Sequence, residues 1–355
     1  GVKIYKQIIY FMYRDFKIVV NTAAGRRRYM QYLVPPILHS DVVDRYDIWV
    51  NTNNGADIEF FKRLAADYPK VNLVWQPDGV VNGIQSINAF YKGCCDEDTI
   101  YMKLDDDVVW FEPELFDKMV KFRVDNPDYF LVSPLVINNA LSTYLLQIHN
   151  KIKLDKYYES RCAEPTLWQS GYFATALHEW FMNKYLKNGK YSELYVGSQP
   201  WAMTRFSINC ILWFGKDMKA FDGIVPGDDE EFLSCIKSTE LGKANCINGD
   251  ALISHFAFGP QREILDKCTI LEKYGEILHN QWKKNEGLHV IDDNVQNMLK
   301  DIKSKETEYM ALPPIYKQIV HKESFEKKIG KNLPANVRAA IRAFQTKENK
   351  DVVIE

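Results

Sequence analysis

Over the first hundred residues, four short apolar runs alternate with amphipathic stretches, and each run leaves through a polar exit. "KIVVNT" (17–22), "YDIWVNT" (46–52), "VNLVWQP" (71–77) and "TIYMKLDDD" (99–107) read as strands. Between them, "GRRRYMQYLVPPIL" (25–38), "ADIEFFKRLAADYP" (56–69) and "GIQSINAFYKGCC" (83–95) carry helical spacing. The first of these helices is expected to stop at Pro35-Pro36, because proline lacks the amide that continues a helix. Apolar strands that return through helices predict an α/β fold of Rossmann type, a mostly parallel central sheet flanked by helices. Ligands of such sheets lie beyond the carboxyl ends of the strands, so "NTAAGR", "NTNNGAD" and "LDDDV" are expected to face one crevice.

Further along, "PELFDKMVKFRVDNP" (113–127) reads as a helix with proline in its first turn, and "YFLVSPLVINN" (129–139) as a strand. Residues 140–205 are mixed and Tyr-rich, with Trp168, Trp180 and Trp201. Order returns in "SINCILWFGKDM" (207–218), in the helix "GDDEEFLSCIKSTE" (227–240) and in the last strand-like run, "ALISHFAFGP" (251–260). Beyond it only helical patterns occur, such as "REILDKCTILEKYGEILHNQW" (262–282) and "NVRAAIRAFQTKE" (336–348). The expected organisation is therefore an α/β domain over 1–260 and a helical C-terminal region over 261–355.

Composition narrows the partners. A net charge of −2 over 355 residues lacks the electrostatic footprint of a nucleic-acid binder. Seven cysteines include no C-x-x-C pair, and Cys94 and Cys95 are adjacent, which suggests neither a zinc site nor a disulfide framework. They read as thiols of a reducing, cytoplasmic compartment. No run approaches the roughly 18 apolar residues that span a bilayer, and "IIYFMY" (8–13) is far too short. A peripheral contact with a membrane stays compatible with the chain, and its first residue, Gly1, leaves room for an anchor ahead of it.

Chemistry concentrates at Asp105, Asp106 and Asp107. A lone carboxylate at a strand exit is usually a turn or capping residue, but three in a row repel one another unless a cation offsets them. On an extended backbone Asp105 and Asp107 project to the same side, where two hard oxygens can approach one Mg²⁺ or Mn²⁺ and leave positions for phosphate oxygens. Asp106 then turns to the interior or to a sugar hydroxyl. Lys103 reads as a sheet or ion-pair residue.

The stretch "NGIQSINAFYKGCCDEDTIYMKLDDDVVWF" (82–111) resembles the approach to the DxD motif of GT-A glycosyltransferases, and the likeness extends over about residues 15–260. The resemblance implies a metal-dependent transfer of a sugar from a nucleotide-sugar donor to a hydroxyl of a glycan, lipid-linked or protein-linked acceptor. It implies Asp105, Asp107 and His255 as ligands of Mn²⁺ or Mg²⁺. Asp229 matches the family's base for an inverting displacement, with Asp228 next to it leaving the register open by one residue. For the donor it implies Asn21, Thr22 and Ala23 at base and ribose, Arg26 at the diphosphate, and Asp105 and Asp106 at ribose or sugar. Asn51 and Asn53 stand where many relatives carry an acid that binds the base; a UDP-sugar is the first expectation and a GDP-sugar the second.

Plainer readings stand beside these. Asp228 and Asp229 also suit the positive end of a helix, His255 a buried sheet position, and Arg26 to Arg28 a solvated helix face. Trp168, Trp201 and Trp213 suit an acceptor pocket or the core. Two other functions compete: a nucleotidyltransferase that makes nucleotide sugars, and a non-catalytic glycan-binding domain. The nucleotidyltransferase would normally open with a Gly-rich loop carrying Lys or Arg, which "NTAAGRRR" matches poorly.

Overall fold

The computed structural model of the chain describes residues 3–4, 15–82, 84–319, 332–334, 336–337 and 350–355. The run 8–13, Gly83 and most of the helix expected over 336–348 lie outside the described residues. Strands are β1 (Lys17–Ala24), β2 (Arg45–Val50), β3 (Val71–Trp75), β4 (Val80–Val81), β5 (Thr99–Leu104), β6 (Val108–Phe111), β7 (Val132–Ile137), β8 (Ser198–Trp201), β9 (Cys210–Phe214), β10 (Asn245–His255) and β11 (Lys317–Gln318). The longer helices are α1 (Arg27–His39), α2 (Gly55–Asp67), α3 (Leu115–Asp125), α4 (Ala140–Ile148), α5 (Gly171–Phe181), α6 (Ile270–Trp282) and α7 (Glu286–Ser304).

The main sheet runs β3-β2-β1-β5-β9-β7-β10-β6, with β8 also on β10, and β11 pairs β4 apart from it. Its first half, β3-β2-β1-β5, is parallel throughout. β9 enters antiparallel between β5 and β7, and β10 returns parallel to β7. This is the α/β architecture expected from the alternation. Both sheet faces are covered: Val19, Trp49 and Tyr101 join one core, and Val20, Ile48 and Met102 the other. Two-sided burial explains why these strands read as continuous apolar runs rather than as alternating ones.

Two local expectations change, and one run that had no assignment gains a place. α1 runs through Pro35-Pro36 to His39. Its buried Leu33, Val34 and Ile37 hold the last turn on the core, and burial of each such side chain is worth about 1.5–3 kcal/mol, which offsets the lost amide bonds. The stretch 84–93 forms only a short α turn followed by a 3₁₀ turn. The apolar "VVWF" after the aspartates is a strand, β6, antiparallel to β10, so the three carboxylates form a turn between two strands.

The segments after residue 260 pack on these same cores. Tyr274 and Leu278 of α6 join one face, and Val295, Met298 and Ile302 of α7 join the other. No described helix is long and apolar enough to cross a membrane.

Candidate active site

The turn Asp105–Asp107 is pinned on both sides by backbone. The Asp105 amide donates to Asn209 O at 2.9 Å, and the Phe256 amide donates to Asp107 O at 2.9 Å. From this turn Asp105 reaches Lys103, while Asp106 and Asp107 share Arg26.

Asp105 accepts from the buried Lys103 ammonium and, at 3.3 Å, from Asn209 Nδ2. Lys103 also donates to Ile208 O at 2.9 Å, so the ion-pair reading of that residue matches its place in the structure. Asp106 receives the Arg26 guanidinium through two nitrogens and the Gly25 amide at 3.3 Å. Asp107 Oδ2 faces two guanidinium groups and an imidazole: Arg26 Nη2 at 3.3 Å, Arg262 Nη2 at 3.7 Å and His255 Nε2 at 3.4 Å. The first and second strand exits meet as well, since the Asn51 amide donates to Ala24 O at 2.9 Å.

Burial and partners split the carboxylates electrostatically. Burial raises the pKa of Asp105 and of Asp106 beyond what Lys103 and Arg26 offset, and the charge of Asp107 adds to the rise. Burial also opposes an ionised Asp107, yet His255, Arg26 and Arg262 together hold its carboxyl below the ordinary range. For His255, burial disfavours the imidazolium, but Asp107 outweighs it and the pKa rises. His255 Nδ1 lies 3.0 Å from Asn138 O, so the N–H on that nitrogen donates to the carbonyl and Nε2 is turned to Asp107.

Across the site, Asp228 is the N-cap of the helical stretch that begins at Asp229, accepting from the amides of Glu230 and Glu231 at 2.9 and 3.3 Å. Its other oxygen meets Arg205 at 3.0 Å. Asp229 is buried, with Oδ2 accepting from Tyr91 Oη at 2.8 Å and Oδ1 from the Glu230 amide at 3.0 Å. The preceding Gly227 has φ of +71°, a left-handed turn that sets the two acids on their separate courses. Asp229 and Asp105 both act on Lys103, raising its pKa against the effect of burial. Asp229 thus belongs electrostatically to the same cluster as the aspartate turn.

Other sequence candidates separate. Asn21 is fully buried in β1, between Asp47 and Lys103 in register, and neither atom of its amide has a hydrogen-bond partner. Thr22 points to the opposite face, where it accepts from Tyr46 Oη at 2.8 Å. Ala23 is half-buried on the Asn21 side. Asn51 accepts from Ser86 Oγ, and Asn53 exchanges two hydrogen bonds with the backbone of Tyr316. Trp213 is core, stacked on Tyr101 at 5.9 Å between centroids, whereas Trp168 is exposed. Four residues at the cluster escape sequence reasoning: Tyr91, Asn138, Asn209 and Arg262. Arg262 alone left a trace, lying seven residues after His255 in "HFAFGPQR".

No protein-family model matches this chain, and no curated protein sequence does. Solved structures do. One is CMP:2-keto-3-deoxy-manno-octonic acid synthetase complexed with CTP, at 11% identity and a TM-score of 0.40, over 73% of this chain and 99% of that one. A second is 4-diphosphocytidyl-2C-methyl-D-erythritol synthase from Anaerococcus prevotii, at 12% identity and a TM-score of 0.40, over 75% and 98%. A third, titled only as a mycobacterial protein, has 11% identity and a TM-score of 0.39, over 75% and 78%. Likeness of this order concerns the type of fold and carries nothing about the reaction.

Proposed function

We propose that this chain is a transferase for a nucleotide-linked donor, and that it passes the donor's sugar to an acceptor hydroxyl. The observation that supports this most is the convergence of Arg26, His255 and Arg262 on one oxygen of Asp107. Arg26 and Arg262 supply fixed positive charge for a diphosphate, whose terminal oxygens gain charge as the glycosidic bond breaks. Asn21, with an unpartnered amide beneath the first strand exit, is the candidate to meet the nucleoside.

A divalent ion fits the donor set in part. Asp107 offers an oxygen, and the carbonyl of Asn138 fixes the His255 ring with Nε2 turned to the same place, where the neutral imidazole would offer a lone pair. Asp105 spends its oxygens on Lys103 and Asn209. Among the described residues no group of three His, Cys, Asp or Glu side chains could hold an ion. Two protein ligands completed by phosphate oxygens and water suit Mg²⁺ or Mn²⁺, which would neutralise the leaving diphosphate.

Asp229 is the proposed base. Tyr91 and the Glu230 amide each take one lone pair from a different oxygen and hold the carboxylate in place, leaving lone pairs for the proton of the incoming hydroxyl. Asp228 is occupied as a cap and by Arg205, which favours Asp229 over it as the base.

A second reading, transfer of a nucleotidyl group to make a nucleotide sugar, has one observation in its favour. The Gly25 amide and the Arg26 side chain of the first strand exit lie against Asp106, where a triphosphate would enter. Titration calorimetry with UDP, GDP and CMP, with and without Mn²⁺, followed by product analysis, separates the two. Mn²⁺-dependent binding with release of nucleoside diphosphate from a sugar donor supports the first reading. Pyrophosphate release from a nucleoside triphosphate and a sugar supports the second, and absence of nucleotide binding overturns both.

A further inference from the structure

We propose that Arg26 is a displaceable counter-cation: it neutralises Asp107 in the free protein and yields that oxygen to a divalent cation, then turns to the donor's phosphates. The inference rests on the site assignment above. Arg26 sits just before α1 in extended backbone (φ −137°, ψ 91°) and makes no side-chain capping bond, so its side chain is free to reach the aspartate turn.

Its two carboxylate contacts are unequal. Asp106 is gripped through Nε at 3.0 Å and through Nη2, whereas Asp107 is met only at 3.3 Å by the same Nη2. A charge-assisted bond closes to about 2.7–2.9 Å, so Arg26, His255 and Arg262 surround Asp107 Oδ2 without any of them closing on it. An oxygen held this loosely passes readily to a better cation.

Arg26 is the group best able to step back. Its side chain is 36% exposed, against 32% for Arg262 and 4% for His255. It alone of the three also holds a second carboxylate, Asp106, so it can swing without leaving the site. Its guanidinium lies over the Tyr29 ring, 4.9 Å from the centroid, and the Arg28 guanidinium faces the same ring at 4.7 Å. Arg26 itself moves without gaining or losing a proton, because an arginine stays charged throughout. A divalent ion arriving at Asp107 repels the guanidinium, and the diphosphate that accompanies the ion attracts it. The two ligands would therefore bind cooperatively.

The test compares wild type, Arg26→Gln and Arg26→Lys by calorimetry with Mn²⁺ alone, then with UDP, GDP and CDP in saturating Mn²⁺. Circular dichroism checks that each variant is folded. Mn²⁺ alone is expected to bind Arg26→Gln at least about fivefold more tightly than wild type, since a full charge next to the ligand oxygen is gone. Arg26→Lys should fall between them, because a point charge cannot span both carboxylates. The nucleoside diphosphate should show the reverse order. Mn²⁺ affinity in Arg26→Gln equal to or below wild type overturns the exchange; should that variant not fold, Arg26→Lys alone decides on the same criterion. Failure of any of the proteins to bind Mn²⁺ also overturns it. Asp107→Asn in the Arg26→Gln background tells the two ideas apart: undiminished Mn²⁺ binding there would refute Asp107 as ligand, and with it the site reading.

Discussion

Asp107 and Asp229 are both buried, but different chemistry surrounds them. Cationic groups ring Asp107, while a phenol and a backbone amide hold Asp229. Asp107→Asn should leave the protein folded and abolish Mn²⁺-dependent nucleotide binding by calorimetry. It should also remove the strongest of the groups that raise the His255 pKa, so in an NMR titration of the imidazole the His255 pKa should drop, because the Asn138 carbonyl and Asp105 are left to oppose burial without it. Asp229→Asn should keep donor affinity and lose transfer, and near-normal turnover in that variant would remove it as base. Tyr91→Phe takes a hydrogen bond from a buried carboxylate and should cost about 1.5–3 kcal/mol in urea unfolding, with donor affinity unchanged. The aspartates were legible because three acids in sequence at a strand exit are costly. Tyr91 was not, since it reaches the cluster through space and looks ordinary in its own stretch of chain, and Arg262 showed only its nearness to His255 along the sequence.

At the scale of elements, the end of β10 carries His255 and is fastened from behind by a buried polar chain. His178 of α5 lies 2.7 Å from Phe256 O and 2.8 Å from Tyr274 Oη, and Tyr274 lies 2.7 Å from Ser254 Oγ. Phe256 in turn donates its amide to Asp107 O, so this chain helps set the distance between His255 and the aspartate turn. Burial pushes His178 down to about 4 from an ordinary value of 6.5. The unfolded chain therefore takes up a proton below about 6.5 that the folded protein refuses until about 4. The contribution is fully present above that window and is lost as pH falls through it. It amounts to about 3 kcal/mol, measurable as urea midpoints at pH 7.5 and 4.5. His178→Gln should flatten that slope. His255 acts in the opposite sense: its raised pKa gives stability that is present below 6.5 and fades as pH rises past its folded value. None of this chain was readable from isolated histidines, whereas the strands and helices of the first half were. α1 passing Pro35-Pro36 shows the limit of local signals, because packing of Leu33, Val34 and Ile37 outweighs a helix breaker.

For the whole molecule, the segments after residue 260 are fastened to the first strands and helices at several points. Tyr316 Oη donates to Val50 O at 2.9 Å and accepts from the Gln76 amide at 2.8 Å, while Arg63 meets Asp301 at 2.6 Å. At the start of α2 the backbone of Gly55 lies so close to the later chain that an added Cβ would stand 1.9 Å from Tyr309 O. Gly55→Ala should therefore push away the short helix Glu306–Met310, seen as faster hydrogen exchange over those residues with nucleotide binding retained. By itself the sequence determined the alternation of strand and helix, the parallel half of the sheet and the position of the acidic turn at a strand end. These follow from periodicity, and periodicity is a property of neighbours along the chain. Only the tertiary structure decided which cations face each aspartate, that Asp228 caps while Asp229 stays buried by Tyr91, and that Arg262 joins the site. The pairings of Asp106 and Asp107 with Arg26 and Arg262, and of Asp229 with Tyr91, unite residues about 80 to 155 positions apart, and they depend on where β9 and β10 enter the sheet, an order that no local pattern encodes.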